Sequence, residues 1–362
     1  MRKALTALAL FAVIALLSVV LRPSSVSLPP ADAKVALSVR VSGNQLVDQT
    51  GAKLQLRGVN HSGAQYACAE GTGLFDAPAT DATIAAMKAW GVNAVRVPLN
   101  ETCWLGSTQV RPGMRGSTYR NAIAAWVNKL TTAGLRVIVD AHWTQVDTKK
   151  ATDQRVMPTR AFAPLYWRSV GATFKNNPAV MFDLFNEPYP DDNQDTTVAW
   201  KCIRDGGACG GTGFVTAGMQ ELVLAVRSSG ARNVILVPGP EYAGSLTRWL
   251  EFKPVDPANQ LAASVHIYGQ PLGSPYDDPK RWPEIDKVAA KAPVVIGEFG
   301  DADCTHKFTD KLTKWADTRG MSYLAWGWVV GDCADEPSLL KDYNGTPSGF
   351  GVGVKAALQK KR

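Results

Sequence analysis

The sequence lacks the patterns that identify several large classes of protein. No Gly-X-Y period and no heptad repeat runs through its 362 residues, which excludes collagen and coiled coils. No run of basic residues is interleaved with aromatic residues, so the net charge of +7 does not indicate a nucleic-acid partner. The absence of CxxC and Cys/His metal spacings disfavours a structural metal site, and the absence of GxGxxG after the first apolar run disfavours a dinucleotide-binding fold.

Long hydrophobic runs are also missing, except at the N-terminus. Arg2 and Lys3 precede an apolar stretch from Ala4 to Leu21, and Ala31-Asp32-Ala33 forms a small-x-small cleavage pattern. The stretch is longer than the ~7–15 residues of a signal-peptide core and borders on the ~17–25 that span a bilayer. We therefore predict that residues 1–33 are a signal peptide or an uncleaved N-terminal anchor, and that the protein is secreted, either free or retained by that anchor.

The remainder of the chain alternates short apolar runs with amphipathic stretches. Strands that alternate with helices at intervals of roughly 30–50 residues indicate βαβ units and a parallel sheet, and eight units favour a closed barrel. We predict an α/β fold, a (β/α)8 TIM barrel formed as a single domain by residues 34–362, with a small N-terminal β-hairpin within Val39–Thr50. The predicted strands 1 to 8 are Leu54–Val59, Val92–Val97, Leu135–Asp140, Val180–Phe185, Val234–Val237, Ala262–His266, Val294–Ile296 and Tyr323–Trp326. The clearest helical patterns are Ala82–Trp90, Thr118–Ala133, Ala163–Lys175, Phe214–Ser229 and Thr309–Arg319.

Polar residues stand at the ends of all eight predicted strands. Active sites of parallel barrels form where the strands end, at the C-terminal face. Ionisable groups beside buried strands are costly unless they are paired, so their convergence indicates function. In strand order these residues are Asn60 and His61, Arg96, Asp140 and His142, Asn186 and Glu187, Glu241 and Tyr242, His266 and Tyr268, Glu298, and Trp326 and Trp328.

Two glutamates among them indicate a particular chemistry. Glu187 ends Met-Phe-Asp-Leu-Phe-Asn-Glu-Pro, and Glu298 lies in Val-Val-Ile-Gly-Glu-Phe-Gly. Glycoside hydrolysis needs one carboxylic acid to protonate the leaving oxygen and a second carboxylate to act as nucleophile or base. Each glutamate alone is as compatible with a helix N-terminus or a salt bridge, but the pair at the ends of two strands favours a glycosidase.

At these positions the chain resembles glycoside hydrolase family 5, the cellulase family of retaining β-glycosidases. The resemblance covers roughly residues 50–330 and rests on eight positions in order. They are Arg96 in Asn-Ala-Val-Arg-Val-Pro, His142 in Asp-Ala-His, Asn186-Glu187-Pro188, His266-Ile267-Tyr268, Gly297-Glu298-Phe299, and Trp326.

The resemblance implies a role for each matched residue. Glu187 would be the acid/base and Glu298 the nucleophile of a retaining mechanism. Arg96 and Tyr268 would lie beside the nucleophile. The sugar on the glycone side of the scissile bond, the −1 sugar, would be bound by His142, Asn186, His266 and Trp326, with a cis peptide after Trp326.

Elementary electrostatics supports the same assignment. Arg96 is always charged and would keep Glu298 ionised, because a nearby cation lowers the pKa of a carboxyl group. Glu187 must carry a proton at the start of the reaction, so it needs a drier and less cationic setting.

A hydrolytic metal site is the main alternative chemistry. His61, His142, His266, Asp140 and the glutamates are possible ligands. However, no HxH motif ends strand 1, and His266 is paired with a tyrosine. We therefore expect no metal and no organic cofactor, an oligo- or polysaccharide as substrate, no nucleic-acid or protein partner, and a monomer.

The substrate is less constrained than the reaction. The leading hypothesis is an exported endo-β-1,4-glucanase. A mannanase, a xyloglucanase and an exo-acting or diglycoside-specific β-glycosidase remain open, as does an inactive carbohydrate-binding barrel. Aromatic residues after the strands are candidate sugar platforms, and about half of them are expected only to pack: Tyr66, Trp104, Trp143, Tyr189, Trp200, Trp249, Tyr276, Trp282 and Trp328.

Six cysteines fit an oxidising compartment, and sequence alone permits fifteen pairings. The predicted barrel selects among them. Two cysteines follow strands 1 and 2, two follow strands 7 and 8, and both of these strand pairs are neighbours. The remaining two share the loop after strand 4. The predicted disulfides are Cys68–Cys103, Cys202–Cys209 and Cys304–Cys333.

Overall fold

Eight parallel strands close into a barrel in the computed structural model, which describes residues 36–334 and 336–360. Each strand pairs with its neighbours in sequence, and strand 8 pairs with strand 1 through the register Tyr323 to Arg57. The predicted (β/α)8 barrel is therefore confirmed. Barrel strands 1 to 8 are Arg57–Asn60, Ala94–Asn100, Arg136–Trp143, Val180–Asp183, Ile235–Pro238, Leu261–Tyr268, Val294–Gly300 and Ser322–Ala325.

The strands differ from the predicted ones mainly at their C-terminal ends. Strands 2, 3, 6 and 7 continue past the apolar runs, and strands 2 and 7 are buried along their whole length. Arg96, His142, His266 and Glu298 thus lie within strands, although their polarity suggested strand ends. Polar partners offset the free-energy cost of burying these side chains, so the strands can continue past them.

Helices surround the barrel and cover its outer face. Several begin at a polar cap: the side-chain oxygens of Thr80, Asn100, Thr196 and Ser348 accept a hydrogen bond from the first turn. The α-helices are Ala67–Glu70, Asp81–Ala89, Glu101–Leu105, Ser117–Thr132, Ala163–Phe174, Thr197–Asp205, Met219–Ser228, Trp249–Phe252, Trp282–Ala289, Lys307–Arg319 and Gly349–Gln359. Short 3₁₀ turns occupy Pro112–Met114 and Pro279–Arg281, and Pro190–Asn193 is a turn with left-handed residues.

One predicted helix begins later than its pattern suggested. Within Phe214–Ser229 only Met219–Ser228 is helical, and Val215–Ala217 pairs instead with Gly206–Ala208 as an antiparallel ribbon. Val-Thr-Ala favours an extended chain, and Gly206, with φ of 65°, opens the ribbon directly after the preceding helix. Another small antiparallel ribbon pairs Leu340–Asp342 with Thr346–Pro347.

The predicted N-terminal hairpin is present at the opposite end of the barrel from the strand ends. Arg40–Ser42 pairs with Gln45–Val47 around a turn at Gly43. Val39 and Leu46 are buried against residues near the strand beginnings, including Ala94 and Val295. The hairpin therefore closes the bottom of the barrel.

The described residues, 36–334 and 336–360, form one compact unit. The predicted signal peptide or anchor, residues 1–33, lies outside the described residues. Within the part of the chain that the structure describes, no helix is both long and apolar enough to cross a membrane.

We expect the closure of the barrel to depend on Gly58. A Cβ atom at this position would overlap the carbonyl oxygen of Ala94 on the neighbouring strand. Gly58→Ala should therefore lower the melting temperature by roughly 1.5–4 °C, because overpacking a strand contact costs about 1–3 kcal/mol and a unit of this size loses about 1.5 °C per kcal/mol. Gly113→Ala is the matched control, since a Cβ there meets open space. Thermal unfolding followed by circular dichroism measures both, and equal melting temperatures would contradict the prediction.

Candidate active site

Glu298 is bound on both oxygens by side chains from other strands. Arg96 Nη1 donates to Oε1 at 2.6 Å, and the Tyr268 hydroxyl donates to Oε2 at 2.6 Å. Nδ1 of His266 lies 3.6 Å from Oε2. The carboxylate is thus held in one orientation, within a buried and positively charged environment.

The environment of Glu298 favours its ionised form. Burial opposes ionisation, but the charges of His266 and Arg96 outweigh it and lower the pKa of Glu298 to about 2. Burial also opposes protonation of His266, yet the charge of Glu298 and the hydrogen bond to Glu187 raise the pKa of His266. Glu298 therefore fits a nucleophile that must be charged at neutral pH.

All three side-chain nitrogens of Arg96 donate hydrogen bonds, and the side chain is fully buried. Nε donates to Asp183 at 3.2 Å, and Nη1 also donates to Asn60 at 3.1 Å. Nη2 donates to Asp140 at 3.1 Å and to Asn186 at 2.9 Å. Burial raises the pKa of Asp183 to about 6, although the Arg96 charge acts in the opposite direction. The guanidinium therefore links strands 1, 2, 3, 4 and 7 at one level of the barrel.

Glu187 faces the same space from the loop that follows strand 4. Its Oε1 lies 2.8 Å from Nδ1 of His266, and its Oε2 accepts a hydrogen bond from Gln154 at 2.9 Å. One oxygen each of Glu187 and Glu298 and a ring nitrogen of His266 all lie within 4.8 Å of one another. A pair of carboxyl groups about 5–5.5 Å apart suits a covalent double displacement, whereas inversion needs about 6.5–9.5 Å for a water molecule.

An aromatic wall stands beside the two glutamates. The rings of His142 and Trp326 stack with their centroids 5.3 Å apart and an interplanar angle of 11°. Nδ1 of His142 is 2.9 Å from Asp140, which orients the imidazole. The Trp326–Gly327 peptide bond is cis, as the resemblance implied. All eight matched residues are thus brought to one place, and all except Arg96 line a cleft of about 440 Å³.

The donor set at the cleft does not resemble a metal site. Glu187, His266 and Glu298 are the group of possible ligands there among the described residues. Both oxygens of Glu298 are already bound, and the fixed charge of Arg96 at 2.6 Å opposes a second cation. A second group, formed by Cys304, Asp332 and Cys333, contains a disulfide. These residues fit acid/base and nucleophilic chemistry.

Comparison with known families gives the same result over most of the chain. The model of the cellulase family, glycosyl hydrolase family 5, matches residues 47–332. The chain belongs to glycosyl hydrolase family 5. It is therefore a glycoside hydrolase.

Curated relatives of this family 5 hydrolase include an endoglucanase and a mannosidase by name. A major extracellular endoglucanase of Xanthomonas campestris is 25% identical over 333 residues, covering 83% of this chain and 67% of that protein. A mannan endo-1,4-β-mannosidase of Streptomyces lividans is 24% identical over 331 residues, covering 88% of this chain and 72% of that protein.

Solved structures share the barrel fold. A β-glucanase of Saccharophagus degradans in complex with cellotetraose has a TM-score of 0.65 at 20% identity, covering 90% of this chain and 94% of that one. A hyperthermophilic endocellulase of Pyrococcus horikoshii has a TM-score of 0.66 at 20% identity, covering 90% and 99%.

The three disulfides of the family 5 hydrolase are those selected by the strand order. Cys68 bonds to Cys103, Cys202 to Cys209 and Cys304 to Cys333, so all six cysteines are used. The first and third bonds join loops that follow neighbouring strands. The second closes a seven-residue separation beside the ribbon after strand 4.

Several polar and aromatic candidates lie away from the cleft. His61 is buried against Trp126 at 4.9 Å, and burial lowers its pKa to about 4, so it is a neutral packing residue. Of the nine candidate sugar platforms, six are buried: Trp104, Trp200, Trp249, Tyr276, Trp282 and Trp328. Tyr66, Trp143 and Tyr189 are partly exposed. Most of the loop aromatics therefore pack under the loops.

Two residues at the site escaped the sequence analysis. Gln154, which binds Glu187, lies in a long loop where no strand end marks it. Asp183, which binds Arg96, stands inside an apolar run. Asp183 could have been identified as an acidic residue within a buried strand. No feature of the sequence around Gln154 marks it.

The low pKa of Glu298 predicts a pH dependence of stability. The ordinary pKa of 4.5 applies to the unfolded chain and about 2 to the folded one. The carboxylate thus stabilises the fold above about pH 4.5, and this contribution is lost as the pH falls towards 2. Glu298→Gln lacks the titrating group, so its unfolding free energy should fall less between pH 5 and pH 2.5 than that of the wild type.

Urea unfolding at several pH values measures this difference. Glu70→Gln removes an exposed glutamate and serves as the control, which should follow the wild type. Parallel pH profiles for Glu298→Gln and the wild type would contradict the charge environment described here.

Proposed function

We propose that this family 5 hydrolase is an exported endo-β-1,4-glucanase that retains anomeric configuration. The observation that carries the mechanism is the approach of Glu187 and Glu298 to within 4.8 Å, with Arg96 and Tyr268 bound to Glu298. In this proposal Glu298 is the nucleophile and Glu187 the acid/base.

The reaction proceeds in two displacements. The Glu298 carboxylate attacks the anomeric carbon, the glycosidic C–O bond breaks, and Glu187 gives its proton to the leaving oxygen. The glycosyl ester on Glu298 is then attacked by water, whose proton returns to Glu187 as the ester bond breaks. The ion pair with Arg96 keeps Glu298 charged before the first step and stabilises it as a leaving group in the second.

Two residues predicted to surround the −1 sugar have groups that are free to contact it. Asn186 accepts from Arg96 through its Oδ1, so its amide N–H₂ is left to donate to a sugar 2-hydroxyl. Such a bond strengthens as the oxocarbenium ion forms. The partly exposed Trp326 ring, stacked on His142, offers an apolar wall to the sugar ring.

The choice of β-1,4-glucan rests on relatives. The Xanthomonas campestris protein and a Paenibacillus polymyxa protein are both endoglucanases by name, at 25% and 24% identity. The Streptomyces lividans mannosidase makes β-mannan the second candidate substrate. The three disulfides and the extracellular Xanthomonas relative support export.

The two glutamates should differ in their mutant phenotypes. Glu298→Ala should abolish turnover on every substrate, and added azide should yield an α-glycosyl azide, since azide replaces the missing nucleophile. Glu187→Ala should still form the glycosyl-enzyme from aryl glycosides with good leaving groups, which need no acid. NMR of the first product formed by the wild type should show the β anomer. An α anomer, or azide rescue to an α product in an Asp140 variant instead, would contradict the assignment.

The substrate can be identified with a panel of polysaccharides. We expect carboxymethylcellulose to lose viscosity faster than reducing ends accumulate, because an endo-acting enzyme cuts internal bonds. Parallel assays on β-mannan, xyloglucan and aryl β-glycosides test the other candidates, with Glu298→Gln as the inactive control. Activity on mannan alone, or release of only terminal sugars, would overturn the endoglucanase proposal.

A further inference from the structure

A left-handed turn follows strand 5 at the edge of the cleft. Glu241, Tyr242 and Ala243 have φ angles of 59°, 57° and 58°. Residues other than glycine rarely adopt this conformation, and three in succession persist only where the surroundings hold them. Backbone outliers of this kind cluster at active sites and at turns that hold a ligand.

Backbone hydrogen bonds join the turn to two segments of the active site, the one after Glu187 and strand 6. The Tyr242 N–H donates to the carbonyl of Pro188 at 3.2 Å, and the His266 N–H donates to the carbonyl of Ala243 at 3.0 Å. Pro188 directly follows Glu187. The turn is therefore fixed relative to the proposed acid/base and to the histidine that contacts it.

The Glu241 carboxylate lines the cleft and has no partner there. Among the described residues it accepts no hydrogen bond and forms no ion pair, and the nearby Arg281 is paired with Glu284 at 3.2 Å. Partial burial and the charge of Asp195 raise the pKa of Glu241, and the charge of Arg281 offsets this only in part. A carboxylate in this state gains most from hydroxyl donors that a ligand brings.

The position of Glu241 indicates which part of a ligand it meets. An acid that protonates the leaving oxygen must face the leaving group, so that group lies on the Glu187 side of the scissile bond. Strand 5 adjoins strand 4, whose following loop carries Glu187, whereas Trp326 follows strand 8 across the barrel. Glu241 and Tyr242 therefore stand on the leaving-group side.

We propose that Glu241 is a specificity residue that accepts hydrogen bonds from the hydroxyl groups of the sugar directly beyond the scissile bond. Tyr242 is 44% exposed, and its ring packs on the Tyr189 ring with centroids 4.7 Å apart, which offers that sugar an aromatic surface. The leaving group is thus a neutral, hydroxyl-bearing sugar. This inference rests on the proposed function, because it uses Glu187 as the acid.

The test compares two substrates that differ in the leaving group. Cellotetraose places a sugar beside Glu241, whereas 4-nitrophenyl β-cellobioside releases a phenolate that has no hydroxyl donors. Glu241→Ala should lower kcat/KM for cellotetraose roughly 10- to 100-fold and change kcat/KM for the aryl substrate by about 2-fold at most. Glu241→Gln retains one acceptor oxygen and should fall between the wild type and Glu241→Ala.

Control variants separate recognition from folding and from chemistry. Glu70→Gln should leave both substrates unaffected, and the melting temperature verifies that each variant folds. Tyr242→Phe should retain activity on cellotetraose that Tyr242→Ala loses, because the ring supplies the surface. An equal loss on both substrates in Glu241→Ala, or no loss on cellotetraose, would overturn the inference while leaving the proposed function intact. A wild type that cleaves neither substrate would overturn both.

Discussion

The buried charge of Arg96 is the interaction on which the centre of this barrel depends. Three carboxylates, those of Asp140, Asp183 and Glu298, lie within 3.2 Å of its guanidinium, which is itself fully buried. A buried ion is tolerated only where its partners satisfy every donor, and loss of one partner typically costs about 3–5 kcal/mol. Arg96 meets this condition because four neighbouring groups and Glu298 fill the positions around its fork. The same arrangement that satisfies the buried guanidinium also keeps the Glu298 carboxylate ionised.

The parallel barrel is what makes this concentration of polar groups possible. Each strand delivers one or two side chains to the same level, and the closed order of strands brings residues from distant parts of the chain together. Arg96 and Glu298 are 202 residues apart in sequence and 2.6 Å apart in space. Hydrophobic packing around the barrel holds the strands in place, and this fixes the positions of the polar side chains that they carry.

The sequence was sufficient for the features that follow from periodicity and strand order. The eight strands, the hairpin and the residues at the strand ends could all be located from apolar runs, and the same order selected the three cysteine pairs. Contacts made by long loops could not be located in this way, since nothing in the pattern around Gln154 indicates that it reaches Glu187. Aromatic residues after strands were equally ambiguous. Trp104 and Trp328 pack beneath loops that add a second apolar layer, and composition cannot distinguish that layer from a sugar-binding surface.

The placement of the disulfides gives the rim of the barrel an uneven stiffness. Bonds join the loops after strands 1 and 2 and those after strands 7 and 8, and a third closes the insert after strand 4. The loops after strands 5 and 6, which carry Tyr242 and Leu272 into the cleft, contain no cysteine. Substitutions in these two loops can therefore be accommodated without disturbing a covalent bond. The loops after strands 5 and 6 are therefore free to diverge between related enzymes, whereas the loops after strands 1, 2, 7 and 8 are constrained by their cross-links.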